Sequence, residues 1–336
     1  MTRTTPPWER PWLSTLLAPL GLAFGALAAR RRRRFGPGES LSLPVLSVGN
    51  LTVGGTGKSP FVSLLLRRLP EGLRPALVLA RGFGERYALE GRSLNDEGWM
   101  LDRRHPGLAQ LQGKDRLSLA TAFLARHEMG CAILDDGAQH LGIRRDLEIL
   151  LFDAAETAGN LRLLPAGPWR ERLAEARRAD LIVLTRADEV GAEVRDRALA
   201  RLEAAAPGRP IVQSRYVVAG LRERGRGPLL PSSRLAGLPV VLLSGIARPG
   251  SFRRTVEGLG ARVEEQIDLG DHGPLSATRI ARLDESMRRG DRTLIVTEKD
   301  AIRLESRSGT WFTLAVDHEL DDGGRTLDRL LERLLS

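Results

Sequence analysis

Eight consecutive residues, Thr52-Val-Gly-Gly-Thr-Gly-Lys58-Ser59, combine the flexibility and side chains needed to hold a chain of phosphates. Gly54, Gly55 and Gly57 let backbone amides turn inward around phosphate oxygens. Lys58 reaches the terminal phosphates, and the Ser59 hydroxyl is placed to hold Mg²⁺. Thr52, Val53 and Thr56 complete the loop. The general pattern has glycine where this chain has Thr52, so on residue types alone the match is partial. Such a loop needs a second element, an apolar strand ending in an acid that serves the metal, and Cys131-Ala-Ile-Leu-Asp135-Asp136 supplies it. Taken alone, two adjacent aspartates are an ordinary solvated turn; beside the loop they read as a metal pair. Gly137-Ala-Gln139-His140 follows at the carboxyl end of that strand, where ligands bind in open α/β sheets.

These groups work only if the chain positions them. Leu43-Pro-Val-Leu-Ser-Val48 is a short apolar run before the loop, and Pro60 to Leu69 has a helical pattern after it, which is the strand, loop and helix order required. Further β-leaning runs lie at 76–80, 147–152, 181–184, 240–243, 293–296 and 312–316. Helical patterns lie between several of them, at 116–127, 190–205 and 280–289. The alternation predicts an α/β fold with a mainly parallel sheet flanked by helices, of the P-loop NTPase kind. At about 100–200 residues per domain, 336 residues suit two domains or one large unit. The stretch from Gly220 to Gly237, rich in glycine, proline and arginine, reads as a linker or exposed hairpin between two halves. The expected division is an N-terminal segment 1–35, a kinase-like domain 36–225 and a smaller α/β domain 226–336. Thr185-Arg-Ala-Asp188 faintly resembles a base-reading motif of GTPases but lacks its asparagine and lysine, and a helix-start aspartate accounts for Asp188 better.

The formal net charge of +9 suits an anionic partner: nucleic acid, a membrane face or a phosphorylated substrate. Only 4% of residues are aromatic and none interleave with basic residues as stacking platforms do, which argues against nucleic acid. The single cysteine, Cys131, cannot form an internal disulfide and sits in an apolar run, as an inert core residue does. From Pro11 to Ala29 there is no charged residue, and five arginines, Arg30 to Arg34, follow at once. A secretory signal carries its positive charge before the apolar stretch, so export is not indicated. The stretch is borderline for the ~20 apolar residues that span a bilayer, and Pro19, Gly21 and Gly25 weaken it as a free-standing helix. It is read as a helix lying in or on a membrane with its arginines at the headgroups, the other reading being a helix packed on the protein's own core.

Set in order, Ser47-Val-Gly-Asn-Leu-Thr-Val-Gly-Gly-Thr-Gly-Lys-Ser-Pro60, Arg81-Gly-Phe-Gly84, Asn95-Asp-Glu97, Asp135-Asp-Gly-Ala-Gln-His140, Leu164-Pro-Ala-Gly-Pro-Trp-Arg-Glu171, Asp271-His272 and Val296-Thr-Glu-Lys-Asp300 resemble the tetraacyldisaccharide 4'-kinases, the lipid A 4'-kinases of Gram-negative bacteria. The resemblance covers essentially the whole chain, and Thr52 is what this family has at its position.

The resemblance implies transfer of the γ-phosphate of ATP, with Mg²⁺, to the 4'-hydroxyl of a tetraacylated glucosamine disaccharide 1-phosphate at the cytoplasmic face of the inner membrane. Phosphoryl transfer is mostly positioning and charge stabilisation, with one group to orient or deprotonate the attacking hydroxyl. In the family pattern that group is Asp96 paired with His272; on sequence alone Asp96 would pass for an ordinary loop acid. Asp135 and Asp136 would serve Mg²⁺ with Ser59, and Glu97 would assist the metal or the base. Asn50, Arg81, Gln139 and His140 are assigned to the acceptor or the phosphates, although Gln139 and His140 equally suit polar residues that satisfy backbone groups at a strand end. For Lys299 and Asp300 the chemistry dictates no role, and a salt-bridged helix start accounts for them. Ala138, Phe83 and Gly273-Pro274 depart from the family's usual residues at places that the resemblance assigns to the sugar or lipid site. Two other classes share the loop: a nucleotide-driven switch or partner-loading ATPase at the membrane, which needs neither Asp96 nor His272, and a membrane-bound binding protein with a degenerate nucleotide site.

Overall fold

The computed structural model describes residues 6–82, 84, 86–89, 91–270, 275–288, 292–307 and 309–336. His272, Asp271, Phe83, Gly273 and Pro274 therefore lie outside the described residues. The chain begins with α1 (Pro11–Leu16), α2 (Ala18–Phe35), β1 (Val45–Gly49), α3 (Lys58–Arg68) and β2 (Ala76–Ala80). An antiparallel pair, β3 (Arg86–Leu89) and β4 (Arg92–Asn95), leads into α4 (Asp96–Arg104). Then come β5 (Ala109–Gln112), α5 (Arg116–Leu124), β6 (Cys131–Asp135), β7 (Leu147–Asp153), α6 (Ala154–Ala158), β8 (Leu181–Thr185) and α7 (Ala192–Ala205). The last third holds β9 (Ile211–Glu223), β10 (Pro239–Ser244), α8 (Pro249–Gly258), β11 (Arg262–Asp268), α9 (Ala277–Arg288), β12 (Thr293–Thr297), β13 (Trp311–Leu320) and α10 (Arg325–Glu332).

The chain divides into two compact units: Met1–Arg81, Leu108–Tyr216 and His318–Ser336 form the first, and Gly82–Gly107 with Val217–Asp317 the second. This differs from the expected boundary at 225. The segment from Gly82 to Gly107 leaves the first unit, the division falls inside β9, and the C-terminal residues return to the first unit. In the first unit the strands run in the order β9, β8, β7, β1, β6, β2, β5, and each of these pairings is parallel. Their apolar runs are buried on both faces, as a helix-covered parallel sheet requires: every residue of β1, β6, β7 and β8 is buried. Cys131 is among them, and burial pushes its thiol up to about 12, which makes it inert. In the second unit β11, β10, β12 and β13 are likewise parallel neighbours. Val241, Leu243, Leu294, Val296 and Trp311 form part of its core.

The arginine-rich stretch after β9 is the hairpin alternative rather than a linker. Leu221 and Leu230 exchange backbone hydrogen bonds of 2.9 and 2.8 Å. The expected helix-start role for Asp188 is not found, because α7 begins at Ala192 behind Gly191, and Asp188 lies exposed in a turn.

At the N-terminus the two helices present two faces. Ser14, Gly21 and Gly25 are buried against the segment around Leu163: Ser14 Oγ donates to the Ala166 carbonyl at 2.6 Å. A Cβ on Gly21 would stand 2.9 Å from the Leu163 carbonyl oxygen, so the close approach needs glycine there. The opposite stripe, Trp12, Leu16, Leu20, Phe24 and Leu27, recurs at helical spacing and is exposed, with Leu16 at 68%. No helix among the described residues is long and apolar enough to cross a membrane.

Candidate active site

The loop opens α3 as the residue types require. Gly54 and Gly57 take positive φ values of 111° and 89°, and Gly57 caps a helix whose first turn is Lys58-Ser59-Pro60. A Cβ on Gly57 would meet the Tyr216 hydroxyl at 2.1 Å. The entry of the loop is fixed by backbone pairing with Pro168-Trp169-Arg170: Val53 N–H donates to the Pro168 carbonyl at 2.8 Å, and Arg170 N–H to that of Leu51 at 2.7 Å. This pairing brings Arg170 and Glu171 beside the phosphate loop.

Asn50 is engaged within the loop. It is fully buried, its Nδ2 donates to the carbonyl and hydroxyl of Thr52 at 3.1 and 3.2 Å, and its Oδ1 accepts from Lys58 Nζ at 3.2 Å. Asn50 thus shapes the loop and aims the lysine. Lys58 Nζ also lies 3.4 Å from Asp136 Oδ1, and Arg170 Nη1 lies 3.5 Å from Asp136 Oδ2. Burial by itself would raise the Asp136 carboxyl; Lys58, Arg170 and Arg116 outweigh it and hold the group below the usual carboxylate range. Asp136 has a positive φ of 50°, a strained turn that aims this side chain from the end of β6. Asp135 is buried at the strand end. Arg116 is buried as well: its burial lowers the guanidinium pKa against the opposing pull of Asp135 and Asp136.

Gln139 follows the backbone-satisfying alternative. Its Nε2 donates to the Asn50 carbonyl and to Glu171 Oε1, both at 2.9 Å, while its Oε1 accepts from Arg170 at 3.0 Å. His140 is half-buried, its Nε2 has no hydrogen-bond partner among the described residues, and burial together with Arg116 and Arg145 pushes its pKa down to about 4, so the ring is neutral at pH 7. Arg81 stands exposed at the end of β2.

Two residues that hold the loop were given no such role on sequence. Arg186, with φ of 56°, donates from Nη2 to the Gly55 carbonyl at 2.7 Å and from Nε to Asp153 at 2.6 Å. His318 Nε2 lies 2.9 Å from the Gly57 carbonyl, an acceptor, so that nitrogen carries the proton; Nδ1 then accepts from Ser214 Oγ at 2.5 Å. These contacts clamp the loop at Gly55 and Gly57, on either side of Thr56.

The second unit builds a separate cluster around Asp96, the first residue of α4. Asn95 caps this helix, its Oδ1 accepting from Gly98 N–H at 2.9 Å, and Asp96 and Glu97 sit where acids favour a helix start. Asp96 is also buried, with Oδ1 accepting from Glu97 N–H at 3.0 Å and Oδ2 accepting from Arg303 Nη2 at 3.2 Å. Lys299 Nζ lies 3.9 Å from Asp96 and 3.5 Å from Glu97. Asp300 holds Arg303 in turn, at 3.1 Å, and accepts from Gly245 N–H at 2.7 Å. Lys299 and Asp300 thus prove to be members of an ion-pair cluster around Asp96, with Arg303 the member sequence reading missed. The expected partner His272 lies outside the described residues.

Comparison with known proteins gives a single answer. The sequence profile of the tetraacyldisaccharide-1-P 4'-kinase family matches residues 13–335. A tetraacyldisaccharide 4'-kinase of Anaeromyxobacter sp. (strain Fw109-5) is 38% identical over 316 residues, covering 88% of this chain and 84% of its own. One from Geobacter metallireducens is 34% identical over 341 residues, covering 95% and 98%. A crystal structure of LpxK from Aquifex aeolicus in complex with ATP superposes with a TM-score of 0.76 at 26% identity, covering 96% of this chain and 100% of that one. A loop, acid pair and buried aspartate cluster drawn from motifs spread along the chain, matched over nearly its whole length, place it without ambiguity: the chain belongs to the tetraacyldisaccharide-1-P 4'-kinase family.

Proposed function

We propose that this chain transfers the γ-phosphate of ATP to the 4'-hydroxyl of a tetraacylated glucosamine disaccharide 1-phosphate, at the cytoplasmic face of a bilayer and with Mg²⁺ at the donor phosphates. Family membership carries the kinase activity and argues against a nucleotide switch. The observation that carries the donor site is Lys58, held by Asn50 and Asp136 where the glycine-bent loop passes into α3.

The residues present fit Mg²⁺. Ser59 and the Asp135-Asp136 pair are hard oxygen donors, and Asp136 Oδ1 is buried with Lys58 Nζ 3.4 Å away. Among the described residues no group of three or more histidine, cysteine, aspartate or glutamate side chains clusters to hold a metal. Mg²⁺ takes one or two carboxylates and draws its remaining ligands from waters and substrate phosphates, a demand that Asp135 and Asp136 can meet. When bound, the ion would neutralise charge on the transferring phosphoryl group.

The protein's own groups account for the rest. Loop amides, Lys58 and Arg170 bind the donor phosphates, with Asn50, Arg186 and His318 keeping the loop in shape. Asp96 takes the proton of the acceptor hydroxyl as its oxygen bonds to the γ-phosphorus, and the bond to the leaving ADP oxygen breaks. Arg303 and Lys299 orient Asp96 and Glu97, and His272 is the proposed partner of Asp96 in this step. Arg81 and His140 are assigned to the acceptor or the phosphates. Incubation with ATP, Mg²⁺ and the disaccharide 1-phosphate, followed by mass measurement of the lipid, tests the reading. A gain of one phosphate is expected; folded protein that adds none would falsify it.

The exposed stripe on α1 and α2, ending in arginines, supports a bilayer surface as the location. Replacing Leu16, Leu20 and Leu27 together by serine is expected to weaken co-sedimentation with phosphatidylglycerol vesicles by about tenfold or more, because each leucine loses apolar burial in the lipid. Unchanged sedimentation would remove the membrane reading.

A further inference from the structure

Of the arginines that end α2, Arg32 alone turns inward far enough to lose most of its exposure, its side chain remaining 23% accessible while Arg30, Arg31, Arg33 and Arg34 are exposed. It lies on the same helix face as Gly21 and Gly25, which seat α2 on the first unit. Its Nη2 donates to Glu171 Oε2 at 2.6 Å and to the Ala138 carbonyl at 3.2 Å. Each successive contact leads toward the phosphate loop. Glu171 Oε1 accepts from Gln139, Gln139 Oε1 accepts from Arg170, Arg170 pairs with Asp136, and Asp136 pairs with Lys58. A residue read as a headgroup ligand thus begins an unbroken polar relay into the donor site.

We propose that Arg32 is a positioning residue for phosphoryl transfer: by holding Glu171 it sets Gln139, Arg170 and Asp136 in the arrangement that places Lys58, so that seating α2 on the first unit controls turnover. The proposal rests on the kinase reading above.

The competing cation shows why Arg32 matters. Arg178 also reaches Glu171, with Nη1 3.1 Å from Oε2 and Nη2 3.4 Å from Oε1, and it shares the Ala138 carbonyl at 3.2 Å. Arg32 holds Oε2 at the shorter distance, and Gln139 holds Oε1 more closely than Arg178 does, at 2.9 Å. Without Arg32, the long two-point contact of Arg178 is free to tighten into the close bidentate pair that guanidinium prefers, which pulls Oε1 from Gln139. Arg170, which hangs from Gln139, then has, among the described residues, Asp136 to orient it. The Glu171 carboxyl is raised by burial, but Arg178, Arg32 and Gln139 together keep it below the usual range, so the relay is ionic at neutral pH.

The test uses the full chain in detergent micelles with ATP and the disaccharide 1-phosphate, alongside calorimetric titration with ATP alone, vesicle co-sedimentation and thermal melting. Arg32→Gln is expected to lower kcat by roughly ten- to a hundredfold, the usual cost of removing a supporting partner, and to weaken ATP binding severalfold. The KM for the acceptor, vesicle binding and Tm should stay close to wild type. Combining it with Glu171→Gln should add little further loss, because both changes cut the same relay. A kcat within about twofold of wild type, or losses that simply multiply in the double variant, overturns the proposal. If Arg32→Gln does not fold, Arg32→Lys, which keeps charge but not the paired donors, is expected to give an intermediate kcat, and a wild-type value counts against the relay. Should wild-type protein phosphorylate no acceptor, the kinase reading fails, while unweakened ATP binding by Arg32→Gln would still sink the relay by itself.

Discussion

Lys58→Ala is expected to lower kcat/KM for ATP by about a hundred- to a thousandfold, the scale seen when one preorganised charge-stabilising group is removed. The size follows from how the lysine is held. Asn50 Oδ1 and Asp136 Oδ1 fix Nζ from two sides at 3.2 and 3.4 Å, so its charge is aimed before any nucleotide arrives and no reorganisation is needed during transfer. The variant also takes away one of the cations that face Asp136 and leaves it Arg170 and Arg116. Steady-state phosphoryl transfer with ATP titration checks both parts: turnover should fall and ATP binding should weaken. A variant that binds ATP as wild type does would show that the loop amides alone hold the donor.

Asp96→Asn is expected to lose about a hundred- to ten-thousandfold in kcat, the range of general base catalysis, with ATP affinity within about twofold of wild type. Asparagine keeps the shape and still accepts hydrogen bonds through one oxygen, so Glu97 N–H or Arg303 can keep a partner, but it cannot take a proton. The separation of effects is the informative part. Lys58 and Asp96 belong to different compact units, and the donor loop keeps every contact described for it when Asp96 changes. Single-turnover measurement with pre-bound ATP distinguishes the outcomes. If Asp96→Asn turns over at a near-normal rate, the base assignment is wrong, and the cluster of Arg303, Lys299 and Asp300 is then a structural brace for the start of α4.

The phosphate loop and the acid pair were legible because their chemistry is local. A turn that bends backbone amides inward needs its glycines within a few residues, and the acids must follow directly on a buried strand, so sequence adjacency carries the whole signal. The core strands were legible for a related reason: in a helix-covered parallel sheet both faces are buried, and β1, β6, β7 and β8 therefore read as unbroken apolar runs. The half-exposed strands β3, β4 and β11 bury little and left no such trace.

What the tertiary structure alone decided is the pairing of charges. Arg303 reaches Asp96 across 207 positions and Arg32 reaches Glu171 across 139, and nothing in local periodicity distinguishes either from the other basic residues among 51 lysines and arginines. The same holds for His318, which returns to the first unit from the far end of the chain to hold the Gly57 carbonyl. Asn50 was assigned a partner outside the protein because its amide offers donors and acceptors to anything nearby; only the fold showed both ends spent on Thr52 and Lys58. The sequence by itself determined which chemistry the chain has groups for, since that depends on residue type and near neighbours. The folded structure decided which copies of those groups are used, because a hydrogen bond of about 3 Å is a property of positions in space that distant segments reach only on packing together.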